Sequence, residues 1–140
     1  MNLAIWDIES SSASTDFGSI IEIGGVLVDE NFKEKDRFNL RCRLPEGEIF
    51  QAMALIVNKT SIKKLTQANL SHYQMLAEVE KIFKKWSPAI FLGWSNIGFD
   101  DEMIRKEFFK GIRYPYLTNA APNKRHDGIN LSLIHISEPT

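Results

Sequence analysis

Alternation of hydrophobic and polar residues dominates the first third of the chain and predicts three strands. Residues 3–9 alternate with a period of two, which places Asp7 and Glu9 on the same face of a strand. Residues 19–28 are rich in β-branched residues and predict a second strand, whose two adjacent glycines indicate a bulge or a close backbone approach. After a turn, residues 37–44 resume the alternation. The pattern predicts a three-stranded meander.

A helical period then replaces the alternation. Ser71 and Gln74 have the spacing of a capping box, and apolar residues recur at three- and four-residue steps as far as Trp86. Pro88 ends this helix, and residues 89–94 form an apolar run typical of a buried strand.

Residues 101–112 predict a second helix, with Asp101 and Glu102 favourably placed in its first turn. The order is therefore three strands, a helix, a strand and a helix. This order predicts an α/β fold with a mixed β-sheet flanked by helices.

Composition indicates one soluble globular domain. The chain has 140 residues, of which 44% are hydrophobic and 25% charged, as in ordinary folded proteins. The longest apolar run is far short of the ~20 residues that span a bilayer. Acidic residues interrupt the apolar start, which excludes a signal peptide. We therefore expect a cytoplasmic protein without a membrane partner.

Cysteine content and charge exclude little more. The single cysteine, Cys42, rules out an internal disulfide and a cysteine-based zinc site, and we expect it to be a small buried hydrophobe. The net charge of −1 does not indicate a nucleic-acid-binding protein, because most such proteins are basic. Each lysine and arginine cluster along the chain, taken alone, is better explained as a solvated helix face than as a nucleic-acid contact.

Three carboxylates are out of place in this pattern. Asp7 and Glu9 lie on a hydrophobic strand about two residues' rise apart, or roughly 7 Å, and we expect both inside the fold, where an unpaired carboxylate is costly. Asp100 follows the predicted buried strand. Oxygen ligands of this kind suit Mg²⁺, and a pair of such ions can cleave a phosphodiester. The alternative is structural: the strand pair could belong to a turn, and Asp100 could cap the following helix.

The same residues resemble the motifs of the DEDD family of 3′→5′ exonucleases. Residues 7–9 (DIE), followed by residues 20–24 (IIEIG), resemble the first motif and the strand after it. Residues 96–100 (NIGFD) resemble the second motif. Within the family, residues 94–102 and 114–116 are most similar to the bacterial exonuclease I branch. The resemblance covers residues 3–117 and weakens towards residue 131.

The resemblance implies a ribonuclease H-like fold with the first motif on its central strand. Asp7, Glu9 and Asp100 would bind two Mg²⁺ or Mn²⁺ ions, one positioning the attacking water and the other stabilising the departing 3′-oxygen. The enzyme would release nucleoside 5′-monophosphates from single-stranded DNA and act as a monomer. An enzyme of the same fold that acts on RNA remains an alternative.

Further residues would contact the substrate by this resemblance. Ser10 and Ser11 would line the pocket of the terminal nucleotide. Asn96 and Phe99 would support the loop of the second motif or touch the substrate directly.

The third motif of the family is not present in this sequence. Family members carry a histidine as general base and an aspartate five residues later as the fourth carboxylate. The positions five residues after the three histidines, His72, His126 and His135, hold Ala77, Leu131 and Thr140. The general base and the fourth carboxylate are therefore not identified, and we expect this chain by itself to be inactive or weakly active. This absence favours a second hypothesis, a non-catalytic nucleic-acid-binding domain of the same fold.

The end of the chain suggests why the motif is missing. Residues 132–140 (SLIHISEPT) do not resemble the family and are similar to adapter-derived tails of unrelated predicted proteins. We therefore expect residues 1–131 to be the first part of an exonuclease domain that is incomplete at its C-terminus, followed by a foreign tail.

Overall fold

The computed structural model describes residues 1–12, 14, 18–43, 67–93, 99–118 and 120–127, without the side chains of Phe99 and residues 124–127. The described chain forms five strands and two helices: β1 (Asn2–Ser10), β2 (Ile20–Val28), β3 (Glu34–Arg41), α1 (His72–Trp86), β4 (Ala89–Gly93), α2 (Phe99–Lys110) and β5 (Lys124–Asp127). The predicted α/β class and the order of the first six elements are confirmed.

The strands form one mixed sheet in the order β3-β2-β1-β4-β5. The pairs β1–β2 and β2–β3 are antiparallel, which is the predicted meander. The pairs β1–β4 and β4–β5 are parallel. Strand β1 is therefore central, with two strands on each side, as the family resemblance implies for the first motif.

Two elements have boundaries shifted by at least two residues from those that the pattern predicts, and a third element was not predicted. Strand β3 spans Glu34–Arg41, where residues 37–44 were expected, because pairing with β2 begins as soon as the turn closes. Helix α2 spans Phe99–Lys110, where residues 101–112 were expected, so Asp100 lies within the helix and does not cap it from outside. Strand β5 was not predicted, since residues 124–127 (KRHD) carry no hydrophobic alternation.

The hydrophobic core lies on one face of the sheet, beneath both helices. Phe83 of α1 is fully buried, and its ring centroid is 5.7 Å from that of Trp6 and 4.9 Å from that of Phe91, both in edge-on contact. Edge-on aromatic pairs contribute about 0.5–1.5 kcal/mol beyond the area that they bury. Met103, Ile104 and Phe108 of α2 belong to the same buried cluster. Both helices therefore cover the face that carries Trp6.

Helix α1 begins and ends where the sequence predicts. The Oγ of Ser71 accepts a hydrogen bond from the backbone N–H of Gln74, and the Gln74 side chain accepts one from the Ser71 N–H, which completes the capping box. At the other end, the backbone N–H of Ser87 donates to the carbonyls of Phe83 and Lys84, and Pro88 follows. Cys42, just after β3, is buried as expected.

Neither described helix is long and apolar enough to cross a membrane.

Candidate active site

Asp7 and Glu9 lie on the face of β1 opposite the helices. Antiparallel pairing sets Asp7 across from Gly24 and Glu9 across from Glu22. Asp7 is exposed and Glu9 is half-buried. The expectation that both carboxylates lie inside the fold is therefore wrong for Asp7. The alternation of the strand sends these side chains away from Trp6 and the helices.

The carboxylates stand where the regular pairing of β1 with β2 ends. The register between the two strands shifts between Glu9 and Ser10, so the adjacent glycines of β2 do not mark the irregularity. Gly25 instead allows a close approach, because a Cβ added there would lie 2.9 Å from Cε1 of Phe38 and 3.2 Å from the carbonyl oxygen of Ile5. This is one of the two explanations that the sequence offered.

Negative charge is concentrated around Glu9. Partial burial raises the pKa of its carboxyl group above the ordinary value of 4.5, and the neighbouring Asp7 and Glu22 raise it further. Arg41 opposes this effect, and its guanidinium lies 2.6 Å from the Glu22 carboxylate. One arginine therefore faces three carboxylates, an arrangement that a bound cation would stabilise.

An open cavity of about 520 Å³ lies beside these side chains on the same face of the sheet. Its lining includes Asp7, Glu9 and Glu22 from β1 and β2, and Arg37 and Asn39 from β3. Three carboxylates and one guanidinium, that of Arg37, thus line the same cavity, which suits a ligand that carries both a cation and an anionic group.

Asp100 lies at the end of the neighbouring strand, on the other face of the sheet. A Cβ added to Gly93 would be 3.6 Å from the Asp100 Cβ and 3.8 Å from its Oδ2. Gly93 pairs with Trp6, the residue before Asp7. The Asp100 side chain is only 3% exposed. Asp100 therefore contacts the strand next to β1, at the residue that pairs with the neighbour of Asp7. Its side chain lies on the helix side of the sheet, whereas that of Asp7 lies on the opposite side.

The three predicted ligands are not gathered into one metal-binding group. Among the residues that the structure describes, no three His, Cys, Asp or Glu side chains are grouped closely enough to hold a metal ion. Asp7 and Glu9 are together, and Asp100 is adjacent through Gly93. Their donor chemistry, carboxylate oxygens only, fits a hard divalent cation such as Mg²⁺.

The predicted substrate-contacting serines are buried and hydrogen-bonded within their own loop. The Oγ of Ser10 donates to the carbonyl of Ser12 at 2.7 Å, and the Oγ of Ser11 accepts from the Ser19 N–H at 2.9 Å. Asn96 lies outside the described residues. The Phe99 backbone begins α2, and its side chain is not described.

Two residues near the site were not singled out by sequence reasoning. Glu22 is the cross-strand neighbour of Glu9, and an acidic residue within an otherwise apolar strand was a signal that could have indicated it. Glu107 of α2 is 2% exposed, and its Oε1 accepts a hydrogen bond from the backbone N–H of Ile20. Nothing in the helical period distinguishes Glu107 from a solvated polar residue.

No protein-family model matches the sequence. No curated protein sequence matches it at a significant level either. In these comparisons, similarity to known proteins is therefore found only in the fold.

Solved structures do match the fold. E. coli exonuclease I in complex with a dA16 oligonucleotide superimposes with a TM-score of 0.86 at 17% identity, over 96% of this chain and 30% of that one. The zinc-bound form of the E. coli ExoI–ssDNA complex gives a TM-score of 0.86 at 17% identity, over 96% and 29% of the two chains. A complex of ExoI with SSB-Ct gives 0.86 at 17% identity, over 96% and 30%.

The chain spans about 30% of the length of the structure with dA16. A sequence identity of 17% supports a shared fold but not a shared function. The TM-scores of 0.86 show that the two folds are closely similar. The predicted likeness to bacterial exonuclease I is confirmed at this level: the chain has the ribonuclease H-like fold of exonuclease I.

Proposed function

We propose that this chain carries carboxylate ligands of a metal-dependent 3′→5′ exonuclease that acts on single-stranded DNA. The observation that carries the proposal is the pair Asp7 and Glu9 at the end of the central strand, with the pKa of Glu9 raised by burial and by neighbouring carboxylates. A carboxyl group in such surroundings is more stable when it is protonated or bound to a cation than as an unpaired anion.

Each acidic residue has a separate role in this proposal. Asp7 is exposed, and its carboxylate oxygens would bind a cation in the cavity. Glu9, two residues further along the same face of the strand, would provide the next ligand. Asp100 adds a third carboxylate from the neighbouring strand end, and its side chain would have to turn past that strand end to share an ion with Asp7. Two divalent cations held by these groups would supply charge neutralisation at the phosphodiester and a nucleophilic water.

The fold comparisons support this assignment. A structure that matches the chain contains a dA16 oligonucleotide, and another is a zinc-bound complex with single-stranded DNA. Both the substrate class and the need for a metal come to this chain as part of the proposal. Mg²⁺ or Mn²⁺ is the expected ion because all three proposed ligands are carboxylates.

A second candidate is a nucleic-acid-binding domain of the same fold that does not cleave. The observation in its favour is that no histidine in the sequence is followed by an aspartate five positions later. This candidate predicts that single-stranded DNA binds without loss of nucleotides in the presence of Mn²⁺.

The experiment is degradation of a 5′-labelled single-stranded DNA oligonucleotide by the purified chain with Mn²⁺ or Mg²⁺. We expect at most a weak descending ladder with release of nucleoside 5′-monophosphates, because the chain lacks the third motif, and both should be lost on addition of EDTA. Asp7→Asn and Asp100→Asn should each lower the rate at least about 100-fold, since each removes a carboxylate that would hold the cations on which charge stabilisation in the transition state depends.

Glu78→Gln is the matched control, because Glu78 lies on α1, away from the strand ends, and its side chain is 44% exposed. It should leave the ladder unchanged. Retained cleavage in Asp7→Asn would remove that residue from the site. DNA binding without cleavage by the wild-type chain would select the non-catalytic candidate. A parallel RNA oligonucleotide tests the choice of substrate.

A further inference from the structure

A second cavity, of about 340 Å³, opens between the start of α1 and the end of α2. Its lining includes His72 and Tyr73 from α1, Glu107 and Lys110 from α2, and Arg113 just beyond α2. None of these residues belongs to the carboxylate site described above. The cavity therefore needs its own explanation.

Tyr73 provides an aromatic surface at this cavity. Tyr73 is 66% exposed, although it lies in the first turn of a helix that packs on the core. The guanidinium carbon of Arg113 lies over the ring at 5.0 Å from the centroid, a cation–π contact that fixes the orientation of both groups. An exposed ring held in place by an arginine is a suitable platform for stacking a nucleic-acid base.

The charges around the cavity favour an anion. Arg113 binds Glu80 at 3.1 Å, and Lys84 shares the same carboxylate at 3.5 Å. Arg113 is largely buried, and within the described residues its Nε has no hydrogen-bond partner. Among the lining residues, Lys110 and Arg113 outnumber the one glutamate, Glu107, by one positive charge before His72 is counted.

Glu107 does not cancel this excess at the mouth of the cavity. It is almost fully buried, its Oε1 accepts from the Ile20 N–H at 2.9 Å, and its Oε2 lies 3.3 Å from Nε2 of His72. The contact with His72 is close, but it lacks the geometry of a hydrogen bond. The carboxylate is thus occupied within the protein and holds His72 at the wall of the cavity.

The cavity adjoins the strand end that carries Glu9. Ser19 lines it, and the Ser19 backbone carbonyl accepts a hydrogen bond from the N–H of Ser11 at 2.9 Å. Ser11 lies two residues beyond Glu9, which corresponds to roughly 7 Å along an extended strand. A single nucleic-acid strand that passes from the carboxylate site around this end of the sheet to the side of the helices can therefore reach the cavity.

We propose that this cavity is a subsite for one nucleotide of single-stranded DNA, in which the base stacks on Tyr73 and its phosphate contacts Lys110 and Arg113. The proposal rests on the proposed function, since the subsite would bind a nucleotide of the DNA strand that lies beyond the cleaved 3′ end. Phosphate contacts would supply affinity without sequence preference, and stacking tolerates any base.

The test is the affinity of the chain for a fluorescein-labelled oligothymidylate in EDTA, which blocks cleavage, measured by anisotropy. We expect Tyr73→Ala to raise the Kd about tenfold, the size of one lost stacking contact, and Tyr73→Phe to retain most of the affinity. Lys110→Gln should reduce the slope of log K against log salt by about 0.7. Tyr114→Ala is the matched control, because Tyr114 is 54% exposed and does not line the cavity.

The outcomes separate the subsite from the nuclease. Equal affinities for Tyr73→Ala and Tyr114→Ala would overturn the subsite, even if the chain degrades DNA with Mn²⁺. A tenfold loss of affinity confined to Tyr73→Ala, in a chain that does not degrade DNA, would support the subsite and contradict the proposed nuclease activity. No binding by the wild-type chain would overturn the subsite, and normal circular dichroism of every variant excludes misfolding as the cause of a loss.

Discussion

Asp100 and Glu107 lie seven positions apart on α2, so both point from the same side of the helix, and both side chains are buried. Asp100 packs against Gly93 at the end of β4, and Glu107 binds the backbone of Ile20 at the start of β2. Strand β1 lies between these two strands. Helix α2 therefore spans the end of the sheet and contacts the ends of β2 and β4, on either side of the strand that carries Asp7 and Glu9.

The first prediction concerns the hydrogen bond from Ile20 to Glu107. Glu107→Ala leaves a buried N–H without its acceptor and should lower the free energy of unfolding by about 1–3 kcal/mol. Glu107→Gln keeps a side-chain carbonyl that can accept from Ile20, so it should cost less. Urea denaturation followed by circular dichroism measures both variants. Equal losses in the two would show that the negative charge matters, through His72, and that the hydrogen bond does not.

The elements with their own periodicity were predictable from the sequence, and those formed by pairing were not. Strand β1 alternates and α1 has both a capping box and an apolar stripe, so local signals sufficed for each. Strand β5 consists of four polar residues and forms by parallel pairing with β4. No pattern within four residues encodes a neighbour that is 34 positions away.

The candidate site was predictable in part for the same reason. Asp7 and Glu9 stood out because a strand alternation contained acids, and their common face followed from the period of two. Their exposure did not follow, because it depends on which face the helices cover. Glu107 remained hidden, since a buried glutamate and a solvated one occupy the same position in a helical repeat until the tertiary contacts are known.

The second prediction concerns Gly25, where backbone and side chains approach closely. Gly25→Ala should lower the free energy of unfolding by about 1–3 kcal/mol, because the new methyl group meets a backbone carbonyl at 3.2 Å as well as the Phe38 ring. Gly24→Ala is the matched control, since its nearest contact would be an ordinary 3.4 Å. It should be neutral or stabilise the strand slightly. Thermal denaturation compares the two, and equal melting temperatures would contradict the packing argument.

The third prediction concerns the reactivity of Cys42. Burial, with a smaller contribution from the negative charge of Glu107, raises the pKa of this thiol to about 12. The thiolate is the reactive form, so the folded chain should not react with Ellman's reagent at pH 8. In urea the cysteine should react at once, because its pKa returns to the ordinary range. Rapid labelling of the folded chain would mean that the segment after β3 opens readily.

The last prediction concerns Glu9 and the pH dependence of stability without metal. Because its pKa is raised on folding, the folded chain binds more protons than the unfolded chain at and above pH 4.5, and stability falls as pH rises through this range. Glu9→Gln removes this dependence and relieves the repulsion from Asp7 and Glu22. Its melting temperature in EDTA at pH 7 should exceed that of the wild type by roughly 1–3 °C, with little difference at pH 4.

Mn²⁺ should reverse that ranking, because an ion bound to the folded wild-type chain stabilises it by mass action and the glutamine variant binds the ion less tightly. Glu78→Gln, on the exposed side of α1, controls for the loss of one negative charge elsewhere. Differential scanning fluorimetry at both pH values, with EDTA and with Mn²⁺, measures all three chains. A Glu9→Gln chain that melts below the wild type in EDTA would mean that Arg41 outweighs the neighbouring carboxylates, and that Glu9 stabilises the strand end as an ordinary ion-pair partner.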